Sequence, residues 1–170
     1  EITDSVLDSL EAHPLVRRID PQVYAHVPAY LRGLLGGRNY YTDITLEGVT
    51  DAFVPDSILG NIDWSYTLED SAGKPLPIIL SENLLILYNA GFAESNGLMG
   101  LTPEGVLGLE CRVNVGSSSL ASLQAPPVNI RAEIVGTSRN MALFALAVPI
   151  EFVEQVNNMY LPDEEHTYSA

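Results

Sequence analysis

The side chains able to do chemistry are few, and their spacing brings no reacting set together. The three histidines, His13, His26 and His166, stand far apart, and none is near Cys111. The paired spacing that zinc ligands use is therefore missing. His13 precedes Pro14 and reads as a solvated residue at a helix end. Cys111 is the one cysteine, so no intramolecular disulfide forms. It sits in an alternating segment from Leu107 to Val115, where a core or half-buried thiol is expected rather than a nucleophile. Ser81 precedes Glu82 without the glycine-flanked elbow of a serine nucleophile and reads as a helix cap. Gly73-Lys74 is followed by Pro75 and lacks the glycine spacing of a phosphate loop. The acidic clusters Asp51 to Asp56 and Asp163-Glu164-Glu165 lack the alternating oxygen ligands of a calcium loop and read as solvated turns. No catalytic residue, metal ligand or cofactor-binding residue emerges. No cofactor is expected, and the chain is not expected to be an enzyme.

The aromatic residues Tyr40, Tyr41, Trp64, Tyr66, Tyr88 and Phe92 admit a surface binding patch, but core and half-core positions are the expectation. Composition narrows the classes further. Of 170 residues, 46% are hydrophobic and 18% charged, the balance of a globular chain able to bury one sizeable core or two small lobes. The charge is strongly acidic, with 22 Asp and Glu against 8 Lys and Arg and a net charge of −14. Such a surface repels phosphate backbones, so no nucleic-acid partner is expected. No apolar stretch approaches the ~20 residues that span a bilayer, and the longest, Met141 to Ile150, is broken at Pro149. The opening at Glu1 and the strand-like ending Thr167-Tyr168-Ser169-Ala170 suggest a soluble piece of a larger protein.

Hydrophobic periodicity supplies the elements that would position these residues. Ile2, Val6, Leu7 and Leu10 share one helical face, capped at Thr3 or Asp4 and stopped by Pro14. An extended stretch follows from Leu15 to Leu31, interrupted by Pro21 and Pro28. After a turn through Gly36-Gly37, a half-exposed strand runs from Tyr40 to Val49. Trp64 to Leu68 reads as a strand, with Glu69 to Lys74 as its hairpin turn. Pro77 to Leu80 is a buried strand leading to a helix from Glu82 to Asn89, with Gly91 as the stop. A long loop from Phe92 to Gly100 leads to a capped turn at Thr102-Pro103. Strands are expected from Leu109 to Val115, from Val128 to Val135 and from Phe144 to Val148, with a loop from Gly116 to Pro127. A helix from Ile150 to Tyr160 closes the pattern. The mixture makes the fold class α+β.

Several segments, in this order, resemble the periplasmic core domain of MacB-like and FtsX-like ABC permeases. They are Pro14-Leu15-Val16-Arg17-Arg18-Ile19-Asp20-Pro21, then Asp43-Ile44-Thr45-Leu46-Glu47-Gly48-Val49-Thr50-Asp51-Ala52-Phe53, and above all Pro77-Ile78-Ile79-Leu80-Ser81-Glu82-Asn83-Leu84-Leu85. Gly108 and the pair Ile134-Val135-Gly136 with Ala147-Val148-Pro149 continue the match. The segment from Tyr88 to Leu107 is longer than the corresponding link in MacB.

The resemblance implies a two-lobed domain on the extracytoplasmic side of the cell membrane. A porter-like α/β lobe would comprise 1–76 and 141–170, with a mostly β lobe, 77–140, inserted between. Ile2–Leu10 and Ile150–Tyr160 would then lie near each other. The implied role is non-catalytic: a cytoplasmic ABC ATPase acts through membrane helices outside this chain, and the domain passes the movement to cargo or an extracytoplasmic protein. Partner contacts are expected at Phe92, Asn96, Leu98 and Met99, and the isolated domain is expected to be monomeric. A stand-alone secreted ligand-binding protein is the alternative reading.

Overall fold

The pairing of distant strands, rather than any one local element, organises the chain. The computed structural model describes residues 2–35, 38–123 and 125–162. Strand β1 (Gln22–Tyr24) and strand β2 (Ala29–Leu35) both run antiparallel to the long strand β3 (Arg38–Val49). They form one side of a broken hairpin. Pro28 has no N–H to give the ladder, and the interruption falls beside it.

Five further elements complete a closed sheet and its ends. They are β4 (Leu76–Ser81), β5 (Glu110–Val115), β6 (Val128–Ser138) and β7 (Ala145–Pro149), with helix α4 (Ile150–Tyr160) after β7. The strand order is β1-β3-β2-β5-β6-β4-β7, and β7 returns to pair with β3 in parallel, Thr45 opposite Ala145 through Val49 opposite Pro149. Six strands thereby form a barrel with no free edge between them. The α+β class holds. The strands of the stretch 77–140, β5, β6 and β4, stand side by side and join those of the flanking stretches in this one sheet at two seams: β5 pairs with β2, and β4 pairs with β7.

Alternation decides what fills the barrel. Leu46, Val113, Val115, Ile130, Leu146 and Val148 point inward and are at most 1% exposed. A second, smaller core lies on the outer face, where Val49, Ile79 and Ala147 are covered by Val54 and Trp64. Trp64 donates its indole N–H to the carbonyl of Val49 at 3.0 Å.

That contact corrects one expectation. Residues 64–67 are irregular, the expected strand from Trp64 to Leu68 does not form, and Glu69 to Lys74 is no hairpin turn. A short 3-10 helix, Leu68–Ala72, stands there instead, started by a reciprocal capping box between Thr67 and Asp70. Trp64 and Tyr66 are buried by packing rather than by strand pairing. Tyr66 meets Phe152 edge-on at 5.8 Å.

Two helices follow strands out of opposite ends of the barrel, because β4 and β7 run antiparallel. At the end where β7 leaves, α4 packs on β1, β3 and β7, burying Phe152, Val153 and Val156. Asn157 fastens it, donating to the carbonyl of Tyr24 at 2.9 Å and accepting from the N–H of His26 at 3.0 Å. Tyr160 donates its hydroxyl to the carbonyl of Pro126 at 2.9 Å.

The first helix, α1 (Asp4–Glu11), forms as its periodicity predicts. It makes no packing of comparable extent with any described element, so the expected approach of α1 to α4 is not seen to that extent among the described residues. The next helix along the chain, α2 (Asp56–Leu59), is a single turn. No helix among the described residues is long and apolar enough to cross a membrane. The Gly36-Gly37 turn, His166, the cluster 163–165 and the strand-like 167–170 lie outside the described residues.

The close fit of α4 rests on Gly48. A Cβ there would stand 2.9 Å from the Cβ of Val153 and 3.2 Å from the Cα of Ile150. Gly48→Ala should therefore destabilise the domain by about 1–3 kcal/mol, read as a lowered urea midpoint, with partial recovery when Val153→Ala is added. A normal midpoint for the single variant would show that α4 sits further off.

Beside it, Glu47 is only 4% exposed, and burial holds its carboxyl above the ordinary range. The side chain of Gln22 donates to it at 3.3 Å. A raised folded-state pKa favours the protonated fold, so this residue's contribution is complete below the ordinary carboxylate pKa and is lost as pH rises through the raised value. Glu47→Gln should raise the melting temperature at neutral pH, with the gain shrinking as pH falls toward the acid range. A gain independent of pH would contradict the assignment.

Candidate functional site

The end of the barrel opposite α4 holds a feature shaped like a site. Helix α3 (Glu82–Tyr88) leaves directly from β4 and continues through a π turn, Asn89–Ala93, and a 3-10 turn, Glu94–Asn96. The expected stop at Gly91 is thus overturned, and much of the expected loop from Phe92 is helical. The stop falls at Gly97, where φ is +62° and a residue without Cβ is favoured. There the N–H of Leu98 donates to the carbonyl of Ala93 at 2.9 Å and that of Gly97 to Glu94 at 3.3 Å. This is the paired closure of a Schellman motif.

A π turn widens the helix by one residue, and here it sits where the side chain of Asn89 is engaged elsewhere. Asn89 donates to the carbonyl of Leu101 at 2.7 Å and accepts from its N–H at 2.7 Å. That two-point clasp ties the helical run to the chain returning toward β5. At the other end, Glu82 accepts from Arg139 at 2.6 Å and from Thr137 at 3.2 Å, which fixes the start of α3 to the end of β6. The hydrogen bond from Arg139 is the main reason the Glu82 carboxyl titrates below its ordinary value. Thr102 accepts from the N–H of Gly105 at 3.0 Å, the cap expected there. Ser81, by contrast, makes no capping bond; it is fully buried, and its hydroxyl has no partner among the described residues.

Between this helical cap and the barrel lies a cavity of about 480 Å³, within the size range of small-ligand sites. Its floor is one set of inward-facing positions. Gly33 stands opposite both Tyr40 and Cys111, and Leu31 opposite Thr42. The roof is Leu84, Leu85, Tyr88 and Phe92. Phe92 meets the ring of Tyr40 edge-on at 5.1 Å and lies 5.9 Å from that of Tyr88. The aromatic residues thus divide. Trp64 and Tyr66 are core and Tyr40 and Tyr88 half-buried, as expected, whereas Tyr41 and Phe92 are exposed; the last four line the cavity. Among the described residues that line it, the only charged one is Glu110.

Cys111 is buried and donates to the carbonyl of Ala132 at 3.7 Å. Burial, and then the charge of Glu110, push its thiol up to about 12. The thiolate that reacts is almost absent at neutral pH, as expected for a core thiol. His13 is exposed beyond the end of α1, and Asp51 and Asp56 are exposed as well.

The four residues expected at a partner contact are held together by the cap, though only Phe92 lines the cavity. Asn96 is exposed and donates to the carbonyl of Phe92 at 2.9 Å. Leu98 is half-buried, and Met99 is 84% exposed. Sequence reasoning missed the part of Tyr40, Leu84 and Cys111 in the cavity. Alternation already placed Cys111 on the inner face, but the rung joining it to Gly33 and Tyr40 comes only from strand register. The thiol supplies a check. Labelling of Cys111 by a soluble disulfide reagent at mildly alkaline pH should be negligible in the native domain and should rise with unfolding in urea. Rapid native labelling would show an open cavity and an ordinary thiol.

No curated protein matches the chain. A family model described as a probable transporter periplasmic core domain matches residues 1–170. Matched over all 170 residues, the chain belongs to that family, the MacB-like periplasmic domain of ABC transporter permeases, which stands on the extracytoplasmic side of the membrane and works with membrane-embedded regions.

Proposed function

We propose that this domain is a non-catalytic relay. It receives a movement driven by ATP hydrolysis in a cytoplasmic ABC ATPase, passed through membrane helices, and delivers it to cargo or to a protein outside the membrane. The observation that carries the reading is the cap: an apolar, exposed end built over a cavity instead of a packed core. Met99, Leu98 and Phe92 form the apolar part of this docking surface, and Asn96 its exposed polar edge. A helix resting on a cavity of about 480 Å³ can tilt without tearing close-packed contacts. Its clasps at Asn89 and Glu82 define the two ends about which it tilts.

In this reading the stretch 77–140 is the partner-facing part and supplies the cap. The stretches 1–76 and 141–170 are the part closed by α4. Both share one barrel, so a push at one end is felt at the other. The domain alone is monomeric, and its net charge of −14 keeps nucleic acid away.

The test uses the complete permease with its ATPase. A spin label at Met99→Cys, in a Cys111→Ser background, is paired with a second label in the membrane region. The distance between them should change when ATP is trapped. An identical distance in the nucleotide-free and ATP-trapped states would overturn the relay. Met99→Glu combined with Asn96→Lys should leave ATPase activity near its starting value and abolish transport; retained transport would overturn the docking assignment.

A further inference from the structure

The outer face of the barrel carries an arrangement that folding alone does not favour. Strand register sets Arg32 directly opposite Arg112, and Arg112 directly opposite Arg131. Tyr41, 72% exposed, is opposite Arg32 on the next strand and extends the row. All three arginines are exposed, and none has a salt bridge among the described residues. Like charges directly opposite each other across neighbouring strands are destabilising. The chain has only 8 basic residues against 22 acidic ones, so three cations in one row stand out from the composition. The nearest carboxylates on that face, Glu110 and Glu133, stand opposite each other two residues along and make no salt bridge with the row among the described residues. A local rule broken in this way points to a partner outside the fold.

From this row we infer a second docking surface, one that takes an acidic segment of a protein partner: a run of Asp or Glu side chains laid across strands β2, β5 and β6. Neighbouring strands are ~4.8 Å apart, so the guanidinium groups form a line about 10 Å long. Arginine suits carboxylates because its planar fork donates in pairs. The row is narrow. Glu110 is directly opposite Glu133 on the same outer face, two residues along β5 and β6. A flat anionic membrane would press on these carboxylates as well, whereas a narrow acidic segment meets the arginines alone. Screening beyond ~10 Å at moderate salt separates this local attraction from the net negative charge of the domain. By strand alternation the arginines face outward from the barrel wall, whereas Gly33 and Cys111 beside them face inward to the cavity, so the row does not depend on the cap being a docking site.

The experiment titrates the domain with a labelled oligoglutamate peptide by fluorescence anisotropy, with oligolysine and phosphatidylglycerol vesicles as the other arms. Oligoglutamate should bind, and its affinity should fall with added salt. Arg112→Gln should weaken it severalfold, and Arg112→Glu about tenfold or more. Arg17→Gln, at an exposed arginine outside the row, should leave it unchanged. Melting gives the second readout: Arg112→Thr should raise the melting temperature by relieving the repulsion. Absent peptide binding, binding indifferent to Arg112, or vesicles bound in preference would each overturn the inference. A lowered melting temperature for Arg112→Thr would also overturn it, because the row would then be compensated within the fold.

Discussion

Everything in this domain hangs on the parallel pairing of β3 with β7. Without it, the six strands would form an open sheet with two bare edges, and apolar side chains such as Leu46 and Leu146 would line a trough instead of an interior. Parallel neighbours need a long crossover, and here the crossover is most of the molecule: the cap, the loops and three other strands. Closure therefore does two things at once. It removes the edges, and it fixes where both helices that follow strands must lie, since the exits of β4 and β7 are at opposite ends.

The two ends are then filled differently. At one, α4 drives Phe152, Val153 and Val156 against the barrel's last rung and leaves so little room that Gly48 tolerates no side chain. At the other, α3 bridges the mouth on two polar clasps and leaves space beneath. Dense packing resists displacement, while a helix tethered at its ends over a void does not. The same fold thus has a closely packed end and a hollow one. The asymmetry comes from side-chain size, with bulky residues plugging one mouth and Gly33 lying under the other.

Much of this was legible in the sequence, and the reasons differ by element. β3 and β6 carry alternation, β4 and β7 carry short apolar runs, and α1 and α4 carry helical periodicity, all of them local signals. The segment 64–68 failed because its aromatic residues report burial, and burial was achieved by Trp64 bonding to Val49 instead of by strand pairing. The helix end failed at Gly91 because glycine inside a helix costs only about 1 kcal/mol, which the distant clasp of Asn89 to Leu101 offsets. The cavity and the arginine row were not legible at all. Both are products of register between strands far apart in sequence, and no window along the chain contains them.

This difference bears on how function should be sought in such a domain. A chain whose reactive side chains are scattered offers nothing to a search for catalytic spacing, and the family to which it belongs is one of transporter periplasmic domains. Its informative features are departures from the rules that stabilise folds: a helix laid over empty space, and like charges aligned where alternating charges would be more stable. Neither improves the barrel. Each costs stability that the closed sheet must supply, and a barrel without edges, filled from six strands, can carry both. The closure of β3 on β7 is thus what allows one small domain to keep a hollow end and a row of like charges on its wall.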